Sequence, residues 1–196
     1  ASLNWLLYGE GSLWGGTGMG VVSLATATYK PPEILSKIAS DYSSPMESIQ
    51  KQGIESPANL VVYKTPYYML SSLQDYQKGN CAPQTHVAQV TLGNKSIIFW
   101  SCPYTSEEGP GLRPDYWSGN MVLPKTIQFR NVLALIWHEN KLSWMNHCFI
   151  EPSRFEEIKL EGRWLFARIK KGFVGIFSEN GMSFGQSGLY AERELV

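Results

Sequence analysis

The residues best suited to chemistry crowd into one stretch, Tyr63 to Pro103. Tyr67, Tyr68, Asp75, Tyr76, Gln84, His86 and Gln89 all fall within it. Imidazole and phenol groups move protons, and carboxamides donate hydrogen bonds to oxygen atoms that gain negative charge. Such a set suits acid–base work on a polar substrate. Ser71-Ser72 lacks the GxSxG elbow of an activated serine. No two His have metal-ligand spacing, HExxH is absent, and nothing in the pattern calls for a cofactor. The bland reading of His86 is a buried strand histidine, and that of Asp75 is a turn residue accepting hydrogen bonds. His138 and His147 have few polar neighbours in sequence and read as structural or surface residues.

These groups need a scaffold, and the alternation around them predicts strands. Asn59–Lys64, Tyr67–Gln77, Gln84–Leu92 and Ser96–Ser101 read as successive strands of an antiparallel meander. In the third, His86, Ala88 and Val90 fall on one face, and Val87, Gln89 and Thr91 on the other. Gln84 shares the His86 face. Further strands are expected at Thr126–His138, Trp144–Ile150, Arg163–Ile169, Phe173–Ser178 and from Ser187 onward, with Gly162 and Lys171-Gly172 marking hairpins. The run Val132–Ile136 is continuously apolar, which predicts cover on both of its faces.

Before residue 56 the period is helical. Pro31-Pro32 opens a short helix with Ile34, Leu35 and Ile38 on one side. Ser44-Pro45-Met46-Glu47 matches a second helix start: Ser as N-cap, Pro at the first position, Glu three residues after the cap. Six Gly between Gly9 and Gly20 lack both GxGxxG and a following Lys-Ser or Lys-Thr, so they read as a connector. The expected organisation is a helical segment at 1–55 and a mainly β, antiparallel sandwich at 56–196.

The chain has 196 residues, 13% of them aromatic and only 17% charged, with zero formal net charge. No basic run exceeds Lys170-Lys171, which argues against nucleic acid, whose phosphates need a basic face. No apolar run approaches the ~20 residues that span a bilayer. Neither pattern nor composition separates a cytoplasmic from a secreted protein. Three widely spaced Cys argue against a disulfide framework or a zinc site and leave Cys81–Cys102 as one possible bridge. The irregular stretch from Pro103 to Pro124 contains Arg113-Pro114-Asp115-Tyr116-Trp117. A long loop with such aromatics suits a binding surface.

The string Tyr63-Lys64-Thr65-Pro66-Tyr67-Tyr68-Met69-Leu70-Ser71-Ser72, then Gln74-Asp75-Tyr76 and Lys78-Gly79, resembles uncharacterised bacterial proteins related to the heparinase II/III-like polysaccharide lyases. Gln84-Thr85-His86, Gln89, Thr91-Leu92-Gly93, Arg113-Pro114, Tyr116-Trp117, Gly119-Asn120, Leu123-Pro124, Gly181-Met182, Ser187-Gly188 and Arg193-Glu194-Leu195 extend the likeness. The resemblance implies the end of an α/α toroid followed by part of a super-sandwich. It implies β-elimination on an acidic polysaccharide or oligosaccharide. His86 and Gln84 would neutralise charge or help proton transfer, Tyr67 or Tyr76 would act as acid or base, and Arg113, Tyr116, Trp117 and Asn120 would form a sugar-binding wall. It also implies that upstream helices supply the facing wall, so that this chain alone is catalytically incomplete. A partial sandwich leaves sheet edges open, which predicts a homo-oligomer or a complementary chain. The alternative is a non-catalytic sandwich that binds glycan or supports a helical domain.

Overall fold

The computed structural model describes residues 26, 28, 30, 32–41, 43–54, 57–76, 86–93, 95–102, 120, 122–137, 146–185 and 194–195. The fold is mainly β, antiparallel and sandwich-like. The chain divides into two units, Ala1–Ser44 and Pro45–Val196. In the first, helix α1 (Glu33–Ser40) follows Pro32, as Pro31-Pro32 predicted. Glu33 sits in the first turn and pairs with Lys37 one turn on, at 3.0 Å. The apolar stripe of Ile34, Leu35 and Ile38 is exposed.

The second unit is built on a seven-stranded sheet. Its strands are β1 (Met46–Gln52), β2 (Ala58–Lys64), β3 (Met69–Gln74), β4 (Ala88–Thr91), β5 (Ile97–Ser101), β8 (His147–Ile150) and β12 (Glu194–Leu195), paired in that order. Between β5 and β8 lies the hairpin β6 (Lys125–Phe129) and β7 (Val132–Ile136). After β8, one turn of 3-10 helix (Pro152–Arg154) leads to a three-stranded sheet of β9 (Glu157–Glu161), β10 (Trp164–Ile169) and β11 (Gly172–Phe177). The β2–β3 turn is tied by Thr65, whose Oγ1 accepts from the N–H groups of Tyr67 and Tyr68, both at 3.1 Å. Gly162 turns β9 into β10 with φ 58°, and Lys170 turns β10 into β11 with φ 51°.

Alternation decides the core. Leu70, Val90, Ile98 and Ile150 stand in one cross-strand row of the large sheet. They cluster with Leu165, Ala167 and Ile176, the inward residues of the small sheet, with Leu133 of β7 packed alongside. Ile98, Ile150 and Leu165 are completely buried. Each such side chain contributes about 1.5–3 kcal/mol relative to exposure. Among the described residues no helix is long and apolar enough to cross a membrane.

Two expectations about elements are corrected. Met46–Gln52 is strand β1, not the helix that Ser44-Pro45-Met46-Glu47 announced. It pairs with β2 at seven successive positions, and this ladder outweighs a local cap preference. The strand-rich stretch from Thr126 holds two strands, β6 and β7, paired as a hairpin that turns at Arg130 with φ 50°. Val132–Ile136 is not covered on both faces: Val132 is 64% and Ile136 is 61% exposed, because this strand packs one side only. Strand β9 was not anticipated, since its charged residues hide the apolar Ile158 and Leu160. The glycine-rich start and the strand expected from Ser187 lie outside the described residues.

Candidate functional site

His86 does not sit at the centre of a strand. It lies two residues before β4, half-buried, with its ring stacked on Phe99 at 4.0 Å and 11°. Phe99 stacks in turn on Phe149 at 4.9 Å, so three rings line the sheet face that also carries Gln89. The next cross-strand row on that face is polar and buried: Ser101 Oγ lies 3.1 Å from His147 Nδ1. His147 is thus buried and structural, the first of the two roles its sequence surroundings left open.

Tyr76 follows β3 and reaches the same end of the sheet as His86, because Leu73 N–H donates to Val87 O at 2.9 Å. Its hydroxyl donates to Pro124 O and meets Thr126 Oγ1 at 3.0 Å. Burial raises its pKa, against a smaller lowering by the Thr126 hydrogen bond. Tyr76 therefore stays protonated at neutral pH, which suits an acid rather than a base. Asp75 takes φ 58° and accepts from Asn59 Nδ2 at 2.6 Å, the behaviour of a turn residue.

Two expected site residues separate from this end. Tyr67 precedes β3 and lies at its opposite end, six strand residues away from the Asp75–Tyr76 side. There Lys171 Nζ sits 5.9 Å from its ring, and a Cβ on Gly172 would come within 2.6 Å of its carbonyl oxygen. Tyr67 belongs with the β10–β11 turn and does not join His86. Asn120 is completely buried, and its Oδ1 accepts from Cys102 N–H at 2.9 Å. It holds backbone inside the fold, so it cannot stand in an exposed sugar-binding wall. Gln84, Arg113, Tyr116, Trp117, His138 and Cys81 lie outside the described residues. Ser72 is buried and donates to Gln128 Oε1 at 2.7 Å, a structural bond. Burial pushes the Cys148 thiol well up, which removes its nucleophilic thiolate. Among the described residues no three His, Cys, Asp or Glu side chains group as metal ligands.

A second arrangement was missed in the sequence. The outward face of the small sheet carries Trp164, Phe166 and Arg168 on β10 and Phe173, Gly175 and Phe177 on β11. Trp164, Phe166 and Phe177 are 43–47% exposed and Phe173 is 65% exposed. The Trp164 and Phe166 rings are parallel within 8° at 5.7 Å, and Phe177 leans on Trp164 at 5.1 Å. Gly175 leaves the gap over which they lean: a Cβ there would meet Phe166 at 3.4 Å and Trp164 at 3.5 Å. Arg163 lies over Phe177, 5.5 Å from its centroid. Glu157, Lys159 and Glu161 of β9 border the cluster. The signal was legible: large aromatics at alternate positions of a strand whose other side is Leu165 and Ala167.

No protein-family model matches the chain, and the comparisons with curated proteins and with solved structures found no match either.

Proposed function

We propose that the β-unit binds a carbohydrate on the outward face of β9–β11, as the glycan-holding part of a carbohydrate-active protein. The observation that carries this is the exposed cluster of Trp164, Phe166 and Phe177 around Gly175, bordered by charged side chains. A pyranose has an apolar C–H surface and a rim of hydroxyls. Aromatic rings cover the first, and carboxylates and guanidinium groups hydrogen-bond the second. The resemblance to heparinase II/III-like proteins supports a carbohydrate as ligand, and the acidic polysaccharide it implies belongs with the second reading below.

Trp164→Ala is expected to weaken glycan binding about tenfold or more, the loss of one stacking contact. Its thermal unfolding should stay close to that of the parent, because Trp164 lies outside the core. Titration calorimetry against a panel of oligosaccharides checks it. Absence of binding to every glycan by the unaltered chain would sink the proposal.

β-Elimination at the other site is a second reading. It is favoured by the placement of His86, Tyr76 and the Asn59–Asp75 pair at one end of the large sheet. In it His86 meets the substrate carboxylate or relays a proton, and a tyrosine serves as acid. His86→Gln in the full-length protein should lower production of the unsaturated, ultraviolet-absorbing sugar about 100-fold. A parent protein that yields no absorbance change on any uronate polymer ends this reading. The partner expectation stands as part of the proposal: exposed Ile127, Phe129, Val132 and Ile136 on the β6–β7 hairpin support association with a second chain.

A further inference from the structure

We infer that the ligand of the Trp164–Phe166–Phe177 cluster is an uncharged glycan, not a polyanionic one. This rests on the glycan-binding reading and narrows it.

The outward positions of β9, β10 and β11 form three cross-strand rows. They are Glu161–Trp164–Phe177, Lys159–Phe166–Gly175 and Glu157–Arg168–Phe173. Among the described residues, the charges around the first two rows are Lys159 and Arg163 against Glu161 and Glu179. Each cation there is already matched: Lys159 Nζ lies 2.6 Å from Glu161, and Arg163 Nη1 lies 3.4 Å from Glu179. In the third row Arg168 is held between Glu156 at 3.0 Å and Glu157 at 3.1 Å. The further cations Lys170 and Lys171 lie in the turn beyond Arg168, where Lys171 approaches Tyr67. Among the described residues, the rings of the first two rows are therefore bordered by charges that cancel locally, and in the third row Arg168 faces two carboxylates.

A uronate or sulfated chain brings a negative charge on nearly every sugar. Against this border it would meet carboxylates as often as cations and would have to break existing pairs to gain a new one. The local field gives it no attraction. A neutral pyranose meets no such penalty. Its hydroxyls can donate to Glu161 or Glu179 and accept from Lys159 or Arg163 while those pairs stay intact. Gly175 supports the same ligand, since its bare backbone lets the Phe166 and Trp164 rings lie down over the strand, 3.4 Å and 3.5 Å from where a Cβ would stand, and present a flat apolar surface.

The test titrates the full chain with two sets of probes, neutral hexasaccharides (β-glucan, xylan and mannan fragments) and uronate hexasaccharides, at low and high salt. The expected result is binding of at least one neutral probe with an affinity that does not change with salt. Trp164→Ala and Gly175→Val should each reduce it by about tenfold, the first by removing a ring and the second by pushing the Phe166 and Trp164 rings off the strand. Thermal unfolding of both variants confirms that they fold, and Phe177→Ala replaces either that does not. Binding of uronate probes alone, weakened by salt and abolished by Trp164→Ala, overturns the inference and leaves the glycan-binding reading standing. Binding of neither set overturns both. Concentration-dependent dimerisation in sedimentation, lost in Trp164→Ala, also overturns both, because the face then belongs to a second copy of the chain.

Discussion

Leu165→Ala is expected to lower the stability of the β-unit by about 3 kcal/mol, within the range for emptying a buried leucine site. Leu165 is completely buried on the inward side of β10, beside Ala167 and opposite Ile176. It is the point at which the small sheet enters the core formed by Leu70, Val90, Ile98 and Ile150. These neighbours sit on paired strands and cannot collapse into the space. The loss combines the transfer energy of the removed atoms with the cavity they leave. A unit of this size should lose about 6–12 °C of melting temperature. Urea unfolding followed by tryptophan fluorescence measures it. The outward neighbour gives the contrast: Phe166→Ala should cost less than about 1 kcal/mol, as expected at a half-exposed position. Equal losses at the two positions would mean that the face assignment of β10 is wrong.

Gln128→Leu is the second large effect, expected at about 2–3 kcal/mol. Gln128 is buried on β6 and joins the hairpin to the large sheet. Its Oε1 accepts from Ser72 Oγ at 2.7 Å, and its Nε2 donates to Leu70 O at 3.2 Å and Arg130 O at 3.0 Å. Leucine keeps the bulk and removes all three bonds, so the Ser72 hydroxyl loses this buried partner. The penalty comes more from that loss than from the bonds themselves. Adding Ser72→Ala should then cost little beyond the single change, and the double-mutant cycle should show coupling of about 1 kcal/mol. Strict additivity would mean that Gln128 and Ser72 do not interact. The Arg130 contact has a further role. It holds the turn residue with φ 50°, a conformation that costs a non-glycine residue about 1–2 kcal/mol.

Much of the meander was legible because its strands carry their own alternation. Asn59–Lys64 and Ser96–Ser101 appear nearly as expected, at Ala58–Lys64 and Ile97–Ser101. Turn chemistry was legible at Gly162, where φ is 58°. Met46–Gln52 failed for a definite reason. Its preceding Ser-Pro and its Glu47 satisfy a helix start, but that preference amounts to about 1 kcal/mol and the seven-position ladder to β2 outweighs it. The candidate site was less legible than the fold. His86, Tyr76 and Tyr67 were joined because they are close in sequence, yet a strand carries residues apart by about 3.3 Å each, and β3 puts Tyr67 at its far end.

The sequence by itself determined the class of the protein. It is a mainly antiparallel β chain in which Leu165 and Ala167 must face one way and Trp164 and Phe166 the other, because side chains alternate along a strand. It could not say which side would be covered. That was decided by tertiary structure, when the small sheet turned its aliphatic side onto Ile98 and Ile150 and left its aromatic side in solvent. Asn120 shows the same limit: its side chain suits sugar recognition as well as backbone capping, and only its burial against Cys102 chose the second. Periodicity fixes relative directions within an element, whereas burial depends on contacts between elements far apart in the chain.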